Sequence, residues 1–319
     1  MKAIYIILCM LCLLVFASCE KEETIIPRSS ELPSRFVFPE GDEAWDHELM
    51  EIYEKYTTML IYKNLDSADF TRSWVAGGGT GSAGRIGKPL DDELAEFYTD
   101  FVKNHVFAFL QPELVAGVLP NYIYLIQDFR LKMVAGGDMS LANYWDGMDF
   151  WGFCLKMNQE GLSPYTKYFD LPKTPWEYKL RRGVILQNII SKIVQKGKIV
   201  VPIEFEEDFD YKTQIKYNSV DIDDPNYYVT RGFPGKFAET SYSNFLNYMM
   251  ISDITPEKNF ISYMHLGMRY SRDSVLIKYP SEKFPKIIQY YDFTMKYVKD
   301  NYGWDLTEME KWPVLENKN

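Results

Sequence analysis

The chain has 319 residues and a net charge of −10, and that acidic balance offers no electrostatic footprint for nucleic acid. Outside Cys9, Cys12 and Cys19 its remaining cysteine is Cys154, so no internal disulfide framework is available and the fold must rest on its core. Roughly three hundred residues suffice for that as one large domain.

Residues 1–18 carry Lys2, an apolar run and then small residues before Cys19, which is the layout of a secretory signal. The run is short for a membrane-spanning helix. Phe16-Ala17-Ser18-Cys19 resembles the bacterial lipoprotein box, whose first position is more often Leu. The resemblance implies cleavage before Cys19, a diacylglycerol on its sulfur and an acyl chain on its amine, and so a firm anchor of several chains. An ordinary signal peptide with an incidental cysteine is the alternative. Residues 19–35 are polar and Pro-containing and read as a lipidated flexible tether. The acidic residues directly after Cys19 resemble a surface-export signal of outer-membrane lipoproteins, and serve equally as a soluble spacer. The expectation is a bacterial protein anchored by lipid to the outer membrane, at the cell surface, with residues 36–319 as a single domain.

Trp45, Leu49, Ile52 and Tyr53 predict an amphipathic helix running into a strand at 58–62. Residues 74–89, "WVAGGGTGSAGRIGKP", read as a flexible loop. Its formal GxGxxG is followed by no helix pattern before Pro89, which excludes a dinucleotide site. A phosphate-binding P-loop fails at Ser82 and Pro89. A helix follows with acids in its first turn, then strands in "NYIYLIQDFRLKMV" and "DFWGFCLKM". The longest helix pattern is 174–197, with Leu180, Val184, Gln187, Ser191 and Val194 on one stripe, a second stripe of Leu186, Ile189, Ile190 and Ile193, and Gly197 as its cap. Further helices are expected within 232–252, from Pro256 behind a Thr255 cap, and from 281 with a break near Pro285. The fold class is α+β, a small mixed sheet early and a helical C-terminal half.

Gln187 and Ser191 lie four apart and share a helix face, the spacing of the two histidine ligands in the zincin HExxH motif, where the adjacent Glu is the general base. Pro202-Ile203-Glu204-Phe205 follows as an exit, then Gly232-Phe233 and Phe237-Ala238, then Ser243-Asn244-Phe245-Leu246-Asn247. In these frames, and at both ends of the mature chain, the sequence resembles the zinc-binding metallopeptidase lipoproteins associated with outer-membrane nutrient-import loci. The resemblance implies a zincin-like fold and an import receptor or a binding lipoprotein as partner. It also shows what has changed. Gln187 and Ser191 stand for two imidazoles, Asn188 for the general base, and Ser243 for a third, carboxylate ligand. Catalytic zinc is usually held by three His, Glu/Asp or Cys ligands, and Asn188 cannot take a proton from water. No metal and no other cofactor is expected. Gln187, Asn188, Ser191, Ser243 and Asn247 read as a degenerate former site, polar groups that satisfy one another between two packed helices.

Three readings follow. The first is a non-catalytic accessory or binding lipoprotein whose cleft holds a peptide or glycan. The second is a hydrolase, peptidase or glycosidase, with relocated catalytic groups, for which Glu204, Glu206, Glu207, Asp208 and Asp210 are candidate acids. The third is a purely structural component of an import complex. His47, His105 and His265 lack ligand spacing, and His105 reads as a cation at a helix end. The turn 221–226 lacks the glycine and glutamate of an EF-hand loop, and Cys154 reads as a small buried hydrophobe.

Overall fold

In a computed structural model the described residues are 35–71, 82–135, 137–140, 143–164, 168–217, 222–237, 246–247, 254–311 and 313. The chain divides into Met1–Val37 and Phe38–Asn319. Of the first unit, residues 35–37 are described, and the Arg35 guanidinium lies 4.7 Å from the centre of the Phe36 ring. Cys19 lies outside the described residues.

The second unit is mixed α+β, as the sequence predicts. Helix α1 (Ala44–Tyr56) leads into β1 (Met59–Ile61). The short α2 (Ser67–Phe70) precedes β2 (Ser82–Lys88), and α3 (Asp92–His105) and α4 (Pro112–Val115) follow. The long β3 (Tyr122–Met133) is followed by β4 (Met139–Ser140), β5 (Tyr144–Asp146) and β6 (Phe150–Cys154). Strand β3 runs parallel to β1 and β6 over its first half. Its second half leaves that sheet and pairs antiparallel with β2 and β4. Strand β5 is the antiparallel edge beyond β6.

The changeover falls at Asp128, a non-glycine residue in the left-handed region with φ of 54°. Asp128 is buried and its carboxylate is heavily bonded. Oδ1 accepts from the Asn158 amide at 2.7 Å, and Oδ2 lies 2.9 Å from the Lys88 ammonium. Burial alone would raise this carboxyl, but the Asn158 and Lys88 bonds outweigh it and hold it below the usual carboxylate range. Strand β2 corrects the loop expected at 74–89. Its glycines carry little strand preference, and the tertiary pairing with the free half of β3 decides the conformation. Gly87 in that strand has no room for a side chain, because a Cβ would come 2.6 Å from Ile126.

After the sheet comes α5 (Pro175–Gln195), closed at its start by a reciprocal Thr174–Glu177 capping box. Gly197, at φ of 68°, ends it as the sequence suggests. Val184, Leu186, Ile189, Ile190 and Ile193 are fully buried. Each contributes about 1.5–3 kcal/mol relative to exposure. Short α6 (Glu204–Glu207) is followed by a two-residue pair of β7 (Lys236–Phe237) with β8 (Leu246–Asn247). Leu246 and Asn247 are therefore extended, where the sequence pattern places a helix. Most of that expected helix, Ser243 included, lies outside the described residues. Helices α7 (Pro256–Arg269), α8 (Arg272–Lys278) and α9 (Pro285–Tyr302) complete the fold, with a 3-10 turn at Leu306–Glu310. Thr255 caps α7 through its side chain. The break expected near Pro285 is the start of α9, with Pro285 in its first turn.

Tyr98 on α3 ties helix to sheet. Its hydroxyl donates to Ile126 O at 2.9 Å and accepts from the Leu155 amide at 2.7 Å. Cys154 is buried, with its thiol pushed up to about 12 by burial, and is inert at neutral pH. His105 corrects its expected role. It ends α3 but is buried against Phe101 and Tyr178. Burial first, and then the Arg182 cation, pull it down to about 4, so it is neutral. The unfolded chain, with a histidine near 6.5, takes up the proton first as pH falls. Stability tied to His105 is therefore present above about pH 6.5 and is lost on acidification towards about pH 4, by roughly 3 kcal/mol. Denaturant melts of wild type and His105→Leu across that range check this, with the variant expected to show the shallower pH dependence.

Candidate functional site

Gln187 and Ser191 lie on the side of α5 that meets α7, Asn188 follows Gln187 on α5, Asn247 is on β8, and Ser243 lies outside the described residues. Gln187 is fully buried, whereas Asn188 and Ser191 are half-buried. Each of the three is turned to a local or cross-helix partner. The Asn188 side-chain amide donates to Val184 O at 2.7 Å, one turn back on its own helix. The Ser191 hydroxyl donates to Gln187 O at 2.9 Å in the same way. This back-bonding is a common resting place for polar side chains inside helices.

Two residues of α7 that the sequence pattern does not single out complete the cluster. Arg269 Nη2 donates to Gln187 Oε1 at 2.5 Å. His265 Nε2 lies 2.9 Å from Gln187 O and 3.2 Å from Ser191 Oγ. His265 and Arg269 are four apart, so one face of α7 meets one face of α5. The cluster is therefore not made of neutral groups alone. Gln187 and Ser191 are engaged between two helices, but a guanidinium takes part. Arg269 is 7% exposed, and burial lowers it to about 10, which leaves it charged at neutral pH. The sequence signal for it was Gly183, one turn before Gln187 on the same face. A Cβ there would meet Arg269 Cζ at 3.3 Å, so the glycine lets the guanidinium lie against the helix backbone.

The geometry also assigns the imidazole proton. Nε2 sits at hydrogen-bond distance from the Gln187 carbonyl oxygen, which only accepts, so Nε2 must carry hydrogen. The Ser191 hydroxyl, already donating to that carbonyl, faces a nitrogen that cannot accept its proton. Ser191 and His265 therefore do not form a nucleophile–base pair.

The other candidate acids lie on α6 and the segment directly after it. Asp208 accepts from the Tyr290 hydroxyl, and Asp210 accepts from the Lys212 and Thr213 amides and pairs with Arg231. In the 221–226 turn, where Asp221 lies outside the described residues, Asp223 pairs with Lys283 and Asp224 with Lys216, each at 2.6 Å. No group of three or more His, Cys, Asp or Glu able to hold a metal ion occurs among the described residues. His47 lies 3.3 Å from Asp42 on the surface.

No protein-family model and no curated protein matches this sequence. A crystal structure from Bacteroides caccae, described as a "putative zinc-binding metallo-peptidase", is similar at a TM-score of 0.49 and 13% identity, over 83% of this chain and 88% of that chain.

The α5–α7 seam makes a direct prediction. Gly183→Ala should push the guanidinium off α5 and weaken its bond to Gln187, costing about 1–3 kcal/mol. Gly183→Ala combined with Arg269→Met should cost less than the sum of the two single changes. A double-mutant cycle by urea denaturation measures that coupling.

Proposed function

We propose that this protein is a lipid-anchored outer-membrane or surface lipoprotein that keeps a zincin-like metallopeptidase frame without its catalysis, and acts as an accessory or binding component of a nutrient-import system. The observation that carries the non-catalytic part is the Arg269–Gln187 bond. In the sequence frame Gln187 stands at the first metal-ligand position. Its side-chain oxygen is already bonded to a buried cation. A metal ion brought to that oxygen would meet like charge, at about 4 kcal/mol per unit charge near 4 Å in a partly screened setting. Asn188 adds nothing to offset this, since its amide donates to its own helix and has no basic atom to offer. The anchor reading rests on Cys19 and the segment before it.

Restoring the motif tests the first part. Gln187→His, Asn188→Glu, Ser191→His and Ser243→Glu together should take up little zinc while Arg269 remains. Adding Arg269→Met should raise zinc affinity at least tenfold, measured by chelator competition. Near-stoichiometric zinc in the wild-type protein, lost on Gln187→Ala, would sink the reading.

The anchor has its own test. Cys19→Ala should abolish labelling by a fatty-acid analogue and release the protein from the membrane fraction. Unchanged labelling would remove the lipid anchor from the proposal.

A further inference from the structure

Strands β2, β3 and β4 share an apolar face that carries one cation. Arg85 of β2 lies opposite Leu131 of β3, and Leu131 lies opposite Met139 of β4, so the three side chains leave the same face in one row. Adjacent strands are about 5 Å apart, so the row spans about 10 Å. Leu131 is half-buried and Met139 is 50% exposed. Trp145 of β5 stands at the Arg85 end of the row. The Arg85 Cζ lies 4.3 Å from the centre of the Trp145 ring, and that ring meets the Phe129 ring at 71° with centres 6.4 Å apart.

Arg85 differs from the deeply buried arginines. Arg130, Arg181, Arg182 and Arg269 each donate to a carbonyl or carboxamide oxygen. Arg85 has no hydrogen-bond acceptor and no carboxylate partner among the described residues. Its Nε is shut off from solvent, whereas Nη1 and Nη2 are not, so the free donors sit at the open end of the fork. Burial lowers the guanidinium from its ordinary value with no acid to offset this, and it stays charged at neutral pH. A half-buried cation without an acceptor is destabilising. The Trp145 ring offsets part of that cost by cation–π attraction and leaves the Nη end unused.

We infer that this face binds a small amphipathic carboxylic acid, the carboxylate held by Nη1 and Nη2 of Arg85 and the apolar body lying across Leu131 and Met139. The end of the guanidinium fork matches the two carboxylate oxygens, which adds geometric selection to the attraction of charge. Met139 is unbranched and adapts to bodies of different shape. The bound carboxylate supplies the counter-charge that the strands themselves lack. The site uses no residue of the α5–α7 seam, so it is independent of the reading of Gln187 and Arg269.

Octanoate is a suitable probe, beside its uncharged amide and beside acetate, which lacks the apolar body. Binding to the purified full-length protein is read by titration calorimetry. Octanoate should bind at least tenfold more tightly than octanamide and than acetate. Arg85→Gln should bring octanoate down to the level of the amide. Arg85→Lys, which keeps the charge and loses the fork, should weaken octanoate at least threefold. Near-ultraviolet circular dichroism checks that both variants keep the fold. Met139→Ala, at a half-exposed position, should weaken octanoate at least threefold and leave the melting temperature near wild type. Equal binding of octanoate and its amide, acetate binding as tight as octanoate, no octanoate binding, or octanoate binding unaffected by Arg85→Gln or by Met139→Ala would each overturn the inference.

Discussion

The hydrogen bond from Arg269 to the buried carboxamide of Gln187 is the contact on which the reading of the C-terminal half depends. A guanidinium taken out of water costs several kcal/mol unless it is well bonded. It is kept here because α5 offers a glycine at 183 for close approach and an amide oxygen at 187 to receive the donor. Neither helix could be altered at this point without affecting the other. The seam also aligns His265 with the main chain of α5, where its Nε2 meets the Gln187 carbonyl.

That arrangement bears on chemistry. A Ser191–His265 nucleophile–base pair would need Ser191 to give its proton to Nε2, which already donates to the Gln187 carbonyl. Of the candidate acids after α5, Asp208 and Asp210 are turned to Tyr290 and Arg231. The charged groups around Asp128 are likewise engaged with one another. Lys88, Arg130 and Asn158 all converge on Asp128, which sits at the point where β3 changes sheets. Their roles are accounted for by the sharp turn of that strand and by the attachment of the segment after β6.

Much of this was legible from residue patterns. The period of α5, its glycine stop, the Thr255 cap and the strand runs of β3 and β6 follow from local rules, because there the local preference and the tertiary context agree. Strand β2 was not legible, since its glycines read as loop and only pairing with β3 makes them a strand. The role of His105 was hidden for a similar reason. A helix end suggests a cation, but burial against Tyr178 and the nearby Arg182 charge determine the outcome. Within the site, the engagement of Gln187 and Ser191 was foreseeable from their spacing. Arg269 and His265 were not, since they lie about eighty residues away in sequence and meet α5 only through helix packing.

The position of Arg269 constrains what single substitutions on α5 can do. A histidine at 187 would replace the carboxamide oxygen that receives the guanidinium with a bulkier ring in the same buried seam. A glutamate at 188 alone would place a charge on a half-buried face. Loss of the arginine alone would remove its bond to the Gln187 oxygen. Each single step towards a metal site therefore destabilises the packed pair before any ligand set is complete. The same pair rewards what is present now, a neutral amide and a fixed cation. At this seam the residues present hold a shape and a fixed charge between two packed helices.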